Sequence, residues 1–381
     1  MRIHYLALHE PSGYAVAAQR CMRALRGAGA ELRWIPFVPG PAWGLGYEPA
    51  SADEVDDPSL HDLLAGPERC DVVVAHLVPE YWPLVRARYP GVPLVGHTVW
   101  ETDRLPAHWP PLLDVADLIV VPTEWNRELL ERSGLRPPVR VAPHVAAAPA
   151  SVSSEVWNDL PEASFVAYGI APWTARKALA ETVRAYQSAF AGRDDTVLVL
   201  KTSERDFADG RSGSPGPVAP GTSAWTLAGL LAGIERPAPV RLVTAVLDDR
   251  DIDALHTRGD CYLSLARSEG WGIPAFDAAA AGKPVVITGY GGHCEFLNDS
   301  SAFLVDYDLV AVDDPAGGGS YTPDQRWARP SIEHAAALLR AVAADPAEAS
   351  ARGQRARSRV LTEFAAPVVA AAFLAALGEL R

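Results

Sequence analysis

The chain has 381 residues, 34 of them Lys or Arg and 47 Asp or Glu, for a formal net charge of −13. That balance argues against a nucleic-acid binder held by phosphate neutralisation, which carries a basic patch or a high pI; it leaves room for a small anion held by a few local cations. The length suits two or three domains, or two large ones, and a hydrophobic fraction of 49% lets each half bury its own core. Cys21, Cys70, Cys261 and Cys294 lie far apart, with no CxxC pair and no His/Cys cluster at metal spacing. Reduced thiols in a cytoplasmic protein, with no resident metal or cofactor, are expected. The opening MRIHYLAL is cut short by His9-Glu10-Pro11, unlike a signal peptide. The Ala-rich tail 364–377 is broken by Pro367 and falls short of the ~20 residues a membrane span needs. A soluble protein is expected.

From residue 2 onward, short β-branched runs alternate with amphipathic stretches, the pattern of βαβ units. Strands are expected at 3–8, 32–37, 71–75, 93–97, 118–122 and 139–141, with helices between them, for example at 15–26 and 124–133. The Ala/Pro/Ser-rich run after Val145 lacks periodicity and reads as a linker over 149–162. Alternation resumes with strands at 164–169, 196–201, 240–244, 261–265, 284–288 and 302–305. The Gly/Pro/Ser-rich stretch 210–222 reads as a loop, and the C-terminal part as helices opening near Ser331 and Pro346. The fold class is therefore α/β: a Rossmann-like parallel-sheet domain over 1–148 and a second over 163–360. A C-terminal helix over 361–381 is free to pack back on the first. Two such halves imply a cleft, and ligands of open α/β sheets sit beyond the carboxyl ends of the strands. The first such loop, HEPSGYAVAA, has one glycine where GxGxxG needs three, and no GxxxxGK[ST] occurs. A nicotinamide dehydrogenase and a P-loop kinase are both disfavoured.

Residues 265–297 read LARSEGWGIPAFDAAAAGKPVVITGYGGHCEFL. A strand ends near Leu265, a Gly-rich loop follows, and a helix begins at Pro274, a favoured first helical position. It stops at Gly282. The next strand, 284–288, leads through Gly289-Tyr290-Gly291-Gly292 into a second expected helix. Two such turns would aim glycine amides and helix N-termini at one sheet edge, a ready site for phosphate oxygens. Glu269 lies in the first loop and Asp277 about one turn into its helix. Carboxylates are poor phosphate ligands but good acceptors of hydroxyls, so the pair beside an anion site suggests a nucleotide sugar. The competing structural reading makes Glu269 a helix cap and Asp277 a macrodipole partner.

The stretch 268–296 resembles the signature of retaining GT-B glycosyltransferases of family four, whose hallmark is an E-x7-E motif followed by a GGxxE loop. The resemblance implies that Glu269 contacts the transferred sugar. It implies that Asp277, in place of the second glutamate and one methylene shorter, faces the ribose hydroxyls. Gly270, Trp271, Gly272, Ile273, Gly291 and Gly292 would line the donor. GHTVWETDRLPAHW (96–109) resembles a loop of one branch of that family and places His97 at the active-site histidine. TARKALAETVRAYQSAF (174–190) resembles the opening of the donor domain, and RWARP (326–330) a late segment. Many members carry an arginine directly after the first donor-domain strand, where this chain has Ile170-Ala171. Arg176 or Lys201 would have to replace it.

Only Lys177, Lys201 and Lys283 are lysines. Where arginine does most surface work, a retained lysine suits a compact point charge. Lys177 and Lys201 are the candidates to neutralise a diphosphate, while Lys283, past a helix end, complements the macrodipole. By strand order, His9, Glu10 and Gly13 face the same cleft, and Glu101 lies just beyond His97; these are the acceptor candidates. Trp100, Trp109 and Trp173 suit core packing better than sugar stacking.

The implied reaction moves a sugar from a UDP- or GDP-linked donor to a hydroxyl of a small-molecule or saccharide acceptor, with retention and without a metal. Glu269 and His97 would be the catalytic pair, and domain closure would exclude water. Two alternatives stand beside it: a related nucleotide-sugar epimerase or phosphorylase, and a non-catalytic nucleotide-sugar-binding partner. Base, sugar, acceptor and oligomeric state are left open.

Overall fold

The computed structural model describes residues 1–160, 165–209 and 218–380. The end of the expected linker and most of the expected loop over 210–222 lie outside these. The first half runs β1 (Arg2–Leu8), α1 (Gly13–Gly27), β2 (Glu31–Pro39), β3 (Tyr47–Pro49), α2 (His61–Leu64), β4 (Val72–His76), α3 (Trp82–Arg88), β5 (Leu94–His97), α4 (Trp109–Leu113), β6 (Leu118–Val121), α5 (Glu124–Arg132) and β7 (Val139–Val141). The second runs β8 (Phe165–Ile170), α6 (Leu179–Phe190), β9 (Thr196–Lys201), α7 (Ser223–Leu231), β10 (Val240–Val243), α8 (Asp249–Arg258), β11 (Cys261–Ser264), α9 (Ile273–Ala280), β12 (Val285–Thr288), β13 (Phe303–Val305), β14 (Tyr307–Ala311), β15 (Arg326–Pro330), α10 (Ile332–Ala344) and α11 (Pro346–Glu363). Helix α12 (Ala366–Gly378) ends the chain.

Two compact units result. Unit 1 comprises Met1–Trp100, Arg104–Ala147 and Thr362–Arg381; unit 2 comprises Glu101–Asp103 and Ala148–Leu361. Unit 1 holds a seven-stranded sheet in the order β3-β2-β1-β4-β5-β6-β7, parallel except at β3. Its strands read as near-continuous apolar runs because helices cover both faces. Phe373, Ala376 and Leu377 of α12 join the core formed by Ile3, Tyr5, Trp34 and Val95. Unit 2 holds a six-stranded parallel sheet, β10-β9-β8-β11-β12-β13, and the antiparallel hairpin β14–β15.

In both sheets the order reverses beside the first strand, between β1 and β4 and between β8 and β11. At such a switch point the loops leaving two neighbouring strands turn to opposite faces and open a crevice. In unit 2 those are the loop carrying Arg176 and Lys177 and the loop carrying Glu269.

One expectation is corrected. The glycine loop after β12 leads into a single 3-10 turn, Gly292–Glu295, rather than a helix. Gly291 has φ +119, and the chain turns again at Phe296 before a helix can propagate. Only the first loop therefore presents a helix N-terminus.

Candidate active site

Glu269 is the hub of unit 2. Lys177 Nζ donates to both its oxygens, at 2.6 Å and 2.8 Å, and Arg176 donates to Oε2 at 3.1 Å. Arg176 also donates to the Ser268 carbonyl at 2.8 Å and pairs with Glu101 at 3.4 Å. The Tyr321 hydroxyl donates to Glu101 at 2.9 Å. Two cations thus face two carboxylates in a cluster whose side chains are 17% exposed or less. Burial alone would raise the Glu269 carboxyl; the Lys177 and Arg176 charges overcome it and hold the group at about 2. Burial lowers the Lys177 ammonium, and the Arg176 charge adds to that, against the pull of Glu269. Arg176 stays above its ordinary value despite burial because Glu101 and Glu269 favour its charge.

The reading of Glu269 as a helix cap does not hold. Helix α9 is capped by Gly272 in the left-handed region (φ 89), with no side-chain cap bond. Glycine is required there. The second loop packs on the first: Gly292 N–H donates to the Glu269 carbonyl at 2.6 Å. A Cβ at Gly292 would fall on the Gly270 carbonyl, and one at Gly291 would lie 2.9 Å from the Glu269 backbone N and O. Asp277 is 8% exposed. The Tyr262 phenol is pushed up by burial, then by Glu269 and Asp277, so both carboxylates act on one buried ring. The Trp271 ring, expected near a donor, packs against Phe276 and Phe296 at 5.0 Å and 5.1 Å.

Buried polar side-chain atoms with no hydrogen-bond partner gather in these loops: Ser268 Oγ, Thr288 Oγ1 and His293 Nδ1. The other His293 nitrogen donates to the Thr288 carbonyl at 2.6 Å, and burial keeps the ring neutral, so Nδ1 is an acceptor. Orphaned polar atoms at such density mark a place where a polar ligand or water completes the bonding.

Lys201 ends β9 beside Ile170 in parallel register, and its ammonium donates to the Thr202 carbonyl at 3.2 Å rather than to the cluster. It stands at the sheet edge next to the position lacking the expected arginine. Lys283 donates to the Thr257 carbonyl at 2.9 Å. Glu101, expected near an acceptor, sits with Arg176 and Tyr321. Tyr321, in the β14–β15 connection, had no local sequence signal.

In unit 1, the His9 ring packs edge-on to Trp34 at 5.7 Å, Glu10 accepts from the Tyr47 hydroxyl, and Gly13 opens α1 behind the cap Ser12. His97 is 1% exposed, and neither ring nitrogen has a partner. It belongs to a trio with His76 and His144, and the last two were missed. Each of the three closes a strand-like run (VVVAH, PLVGH, VRVAPH), a signal that was present in the sequence. Trp100, Trp109 and Trp173 are all buried.

Residues 240–310 match the family described as glycosyl transferases group 1. That segment runs from β10 into β14 and contains Glu269, Asp277, Gly291 and Gly292. No curated protein matches the sequence. Among solved structures, sucrose-phosphate synthase from Thermosynechococcus elongatus is 15% identical, with TM-score 0.68 over 100% of this chain and 99% of that one. HepE from Anabaena, in complex with UDP-glucose, is 14% identical, with TM-score 0.67 over 100% of both chains. Trehalose-6-phosphate synthase OtsA is 14% identical, with TM-score 0.65 over 100% of this chain and 99% of that one.

The fold is GT-B. At these identities the likeness is one of fold, and the family segment adds the chemistry-bearing loops of the second sheet. A glycosyltransferase is what the GT-B fold and that segment together support. Among the described residues of this GT-B chain, no single helix is long and apolar enough to cross a membrane.

Proposed function

We propose that this chain is a retaining glycosyltransferase that moves a sugar from a UDP- or GDP-linked donor to a hydroxyl of a small-molecule or saccharide acceptor. The observation that carries the reading is the convergence of Arg176 and Lys177, from the loop after β8, on Glu269, from the loop after β11. The barrier lies in breaking the anomeric C–O bond while charge grows on the leaving diphosphate. Arg176, Lys177, Lys201 and the amides of the α9 N-terminus and of Gly291 supply the electrostatic stabilisation such a leaving group needs, with Gly292 holding the turn against the Glu269 carbonyl. With cations in place for that charge, the reaction is proposed to run without a metal, and EDTA should leave it intact. Glu269 orients the sugar, and Asp277 takes ribose hydroxyls. His97 is the proposed group near the reacting centre on the acceptor half, with His9, Glu10 and Gly13. The leaving phosphate itself accepts the acceptor's proton on the face it leaves. The UDP-glucose held by HepE supports a uridine-linked donor.

A second reading, a nucleotide-sugar-binding chain without transfer, is favoured by Ile170-Ala171 where the resemblance calls for arginine. A thermal-shift panel of UDP-, GDP-, ADP- and dTDP-sugars tests both. A bound donor at a hundred times its Kd stabilises by about 2.7 kcal/mol. Nucleoside diphosphate release on adding acceptors then separates transfer from binding alone. No shift with any member of the panel would sink both.

A further inference from the structure

Arg267, two residues before Glu269, has no part in the reading above. Its backbone N–H donates to the Arg176 carbonyl at 2.7 Å, and its Nε donates to the Ala175 carbonyl at 3.1 Å. The guanidinium also donates to Glu181 in the first turn of α6, at 2.6 Å. Its Cζ lies over the Trp327 ring, 5.4 Å from the centre, and the Arg267 carbonyl accepts from Ala328 N–H at 2.9 Å. One residue therefore ties the turn bearing both cations to the start of α6 and to strand β15.

That turn needs outside support. Ala178, next to Lys177, is the one non-glycine residue at positive φ among the described residues (φ 48, ψ 43). It is also the N-cap of α6, with no side-chain cap bond. A backbone held in a sparsely populated region persists only where its surroundings over-determine it. Arg267 supplies that determination with a planar fork that reaches a carbonyl and a carboxylate while its charge lies over an indole ring. A lysine ammonium cannot do all three.

We propose that Arg267 is a positioning residue: it fixes the 175–178 turn so that Arg176 and Lys177 meet a diphosphate together, without itself touching the ligand. The ligand half of this rests on the donor reading above.

The test compares wild type, R267A and R267K by calorimetry with UDP and GDP, and with uridine and guanosine, which lack phosphates. Hydrogen–deuterium exchange of the peptide 172–183 is measured in parallel. R267A should weaken the nucleoside diphosphate that wild type binds by ten- to a hundredfold, and leave the nucleoside within twofold. R267K, which keeps the charge and serves if R267A does not fold, should lose at least fivefold. Exchange at 175–178 should quicken at least tenfold in either variant. Parallel weakening of nucleoside and diphosphate, R267K equal to wild type, or unchanged exchange would each overturn the proposal. A wild type that binds no nucleoside diphosphate refutes the donor reading and the ligand half; the exchange arm still decides the brace.

Discussion

The His97 ring lies nearly parallel to that of His76, with centroids 3.9 Å apart and planes at 24°. Strand register pairs the two residues across β4 and β5, and His144 lies 6.1 Å from His76. Burial drives all three below the ordinary histidine value, with His144 at about 3; neighbouring histidines add to this for His76 and His97. The folded trio stays neutral while the unfolded chain takes up protons near pH 6.5. Unfolding therefore binds protons in that window, and stability falls as pH drops. Each histidine should cost about 1.4 kcal/mol between pH 7.5 and 5.5. Thermal unfolding of unit 1 should show a loss of about 4 kcal/mol over that range, on the same linkage. His97→Gln should flatten the slope by about a third on that basis. A profile that does not change between the two pH values would mean the rings are already charged or hydrated.

Removing the carboxylate at 269 leaves Lys177 and Arg176 buried without their shared partner. Breaking one side of a buried ion pair costs about 3–5 kcal/mol. Glu269→Ala should therefore be destabilised without ligand and regain more on binding a nucleoside diphosphate than wild type does, because the phosphates replace the lost charge. Transfer should fall by at least about a hundredfold, the scale of one aligned transition-state contact. Paired measurements of Tm shift and turnover check this. A variant that no longer binds the diphosphate would show that Glu269 shapes the phosphate site instead.

Much of this was legible in the residues. Runs such as VVVAH and TVLVLK announce buried parallel strands because both faces are covered, and β7 and β9 span the residues expected, 139–141 and 196–201. Glu269 was legible because SLARSEGWGIP runs from the strand end at Ser264 through a left-handed glycine to a helix start. The helix expected after Gly292 was not, since a positive-φ glycine followed by a 3-10 turn has the same local composition as a helix start. The β14–β15 hairpin was equally hidden. Its strands are separated by residues 312–325 and show no clean alternation, so Tyr321 and its bond to Glu101 had no local signature. Arg267 stood in plain view in LARSEG, but its value lies in carbonyls far along the chain.

Glu101 occupies Arg176 at 3.4 Å, the cation a diphosphate would otherwise meet. Neutralising it with Glu101→Gln should lower the Kd of a nucleoside diphosphate about fivefold, the ~1 kcal/mol scale of one part-screened charge pair. Calorimetry with and without phosphates on the ligand isolates this effect. An acceptor-holding role predicts a different pattern: an unchanged diphosphate Kd and a raised acceptor KM.

Two exchanges between glycine and alanine should act with opposite sign in unit 2. At 178 the backbone sits in the left-handed region (φ 48), where alanine pays for its Cβ by about 1 kcal/mol. Ala178→Gly should recover up to about 1 kcal/mol, or roughly 2–4 °C in Tm, less what glycine's unfolded-chain entropy takes back. At 292 the new Cβ meets the Gly270 carbonyl, a backbone atom that cannot rotate away. Gly292→Ala must push the two loops apart, breaking the Gly292 N–H to Glu269 bond. A loss of about 2–3 kcal/mol follows from overpacking of this kind. Because parting the loops also moves the Glu269 backbone that Gly292 holds, the diphosphate Kd should rise at least about tenfold, the ~1.4 kcal/mol equivalent of one lost contact. Calorimetric melts and diphosphate titrations of both variants decide the matter. Equal and small effects at the two positions would mean the loops are looser in solution than their packing requires.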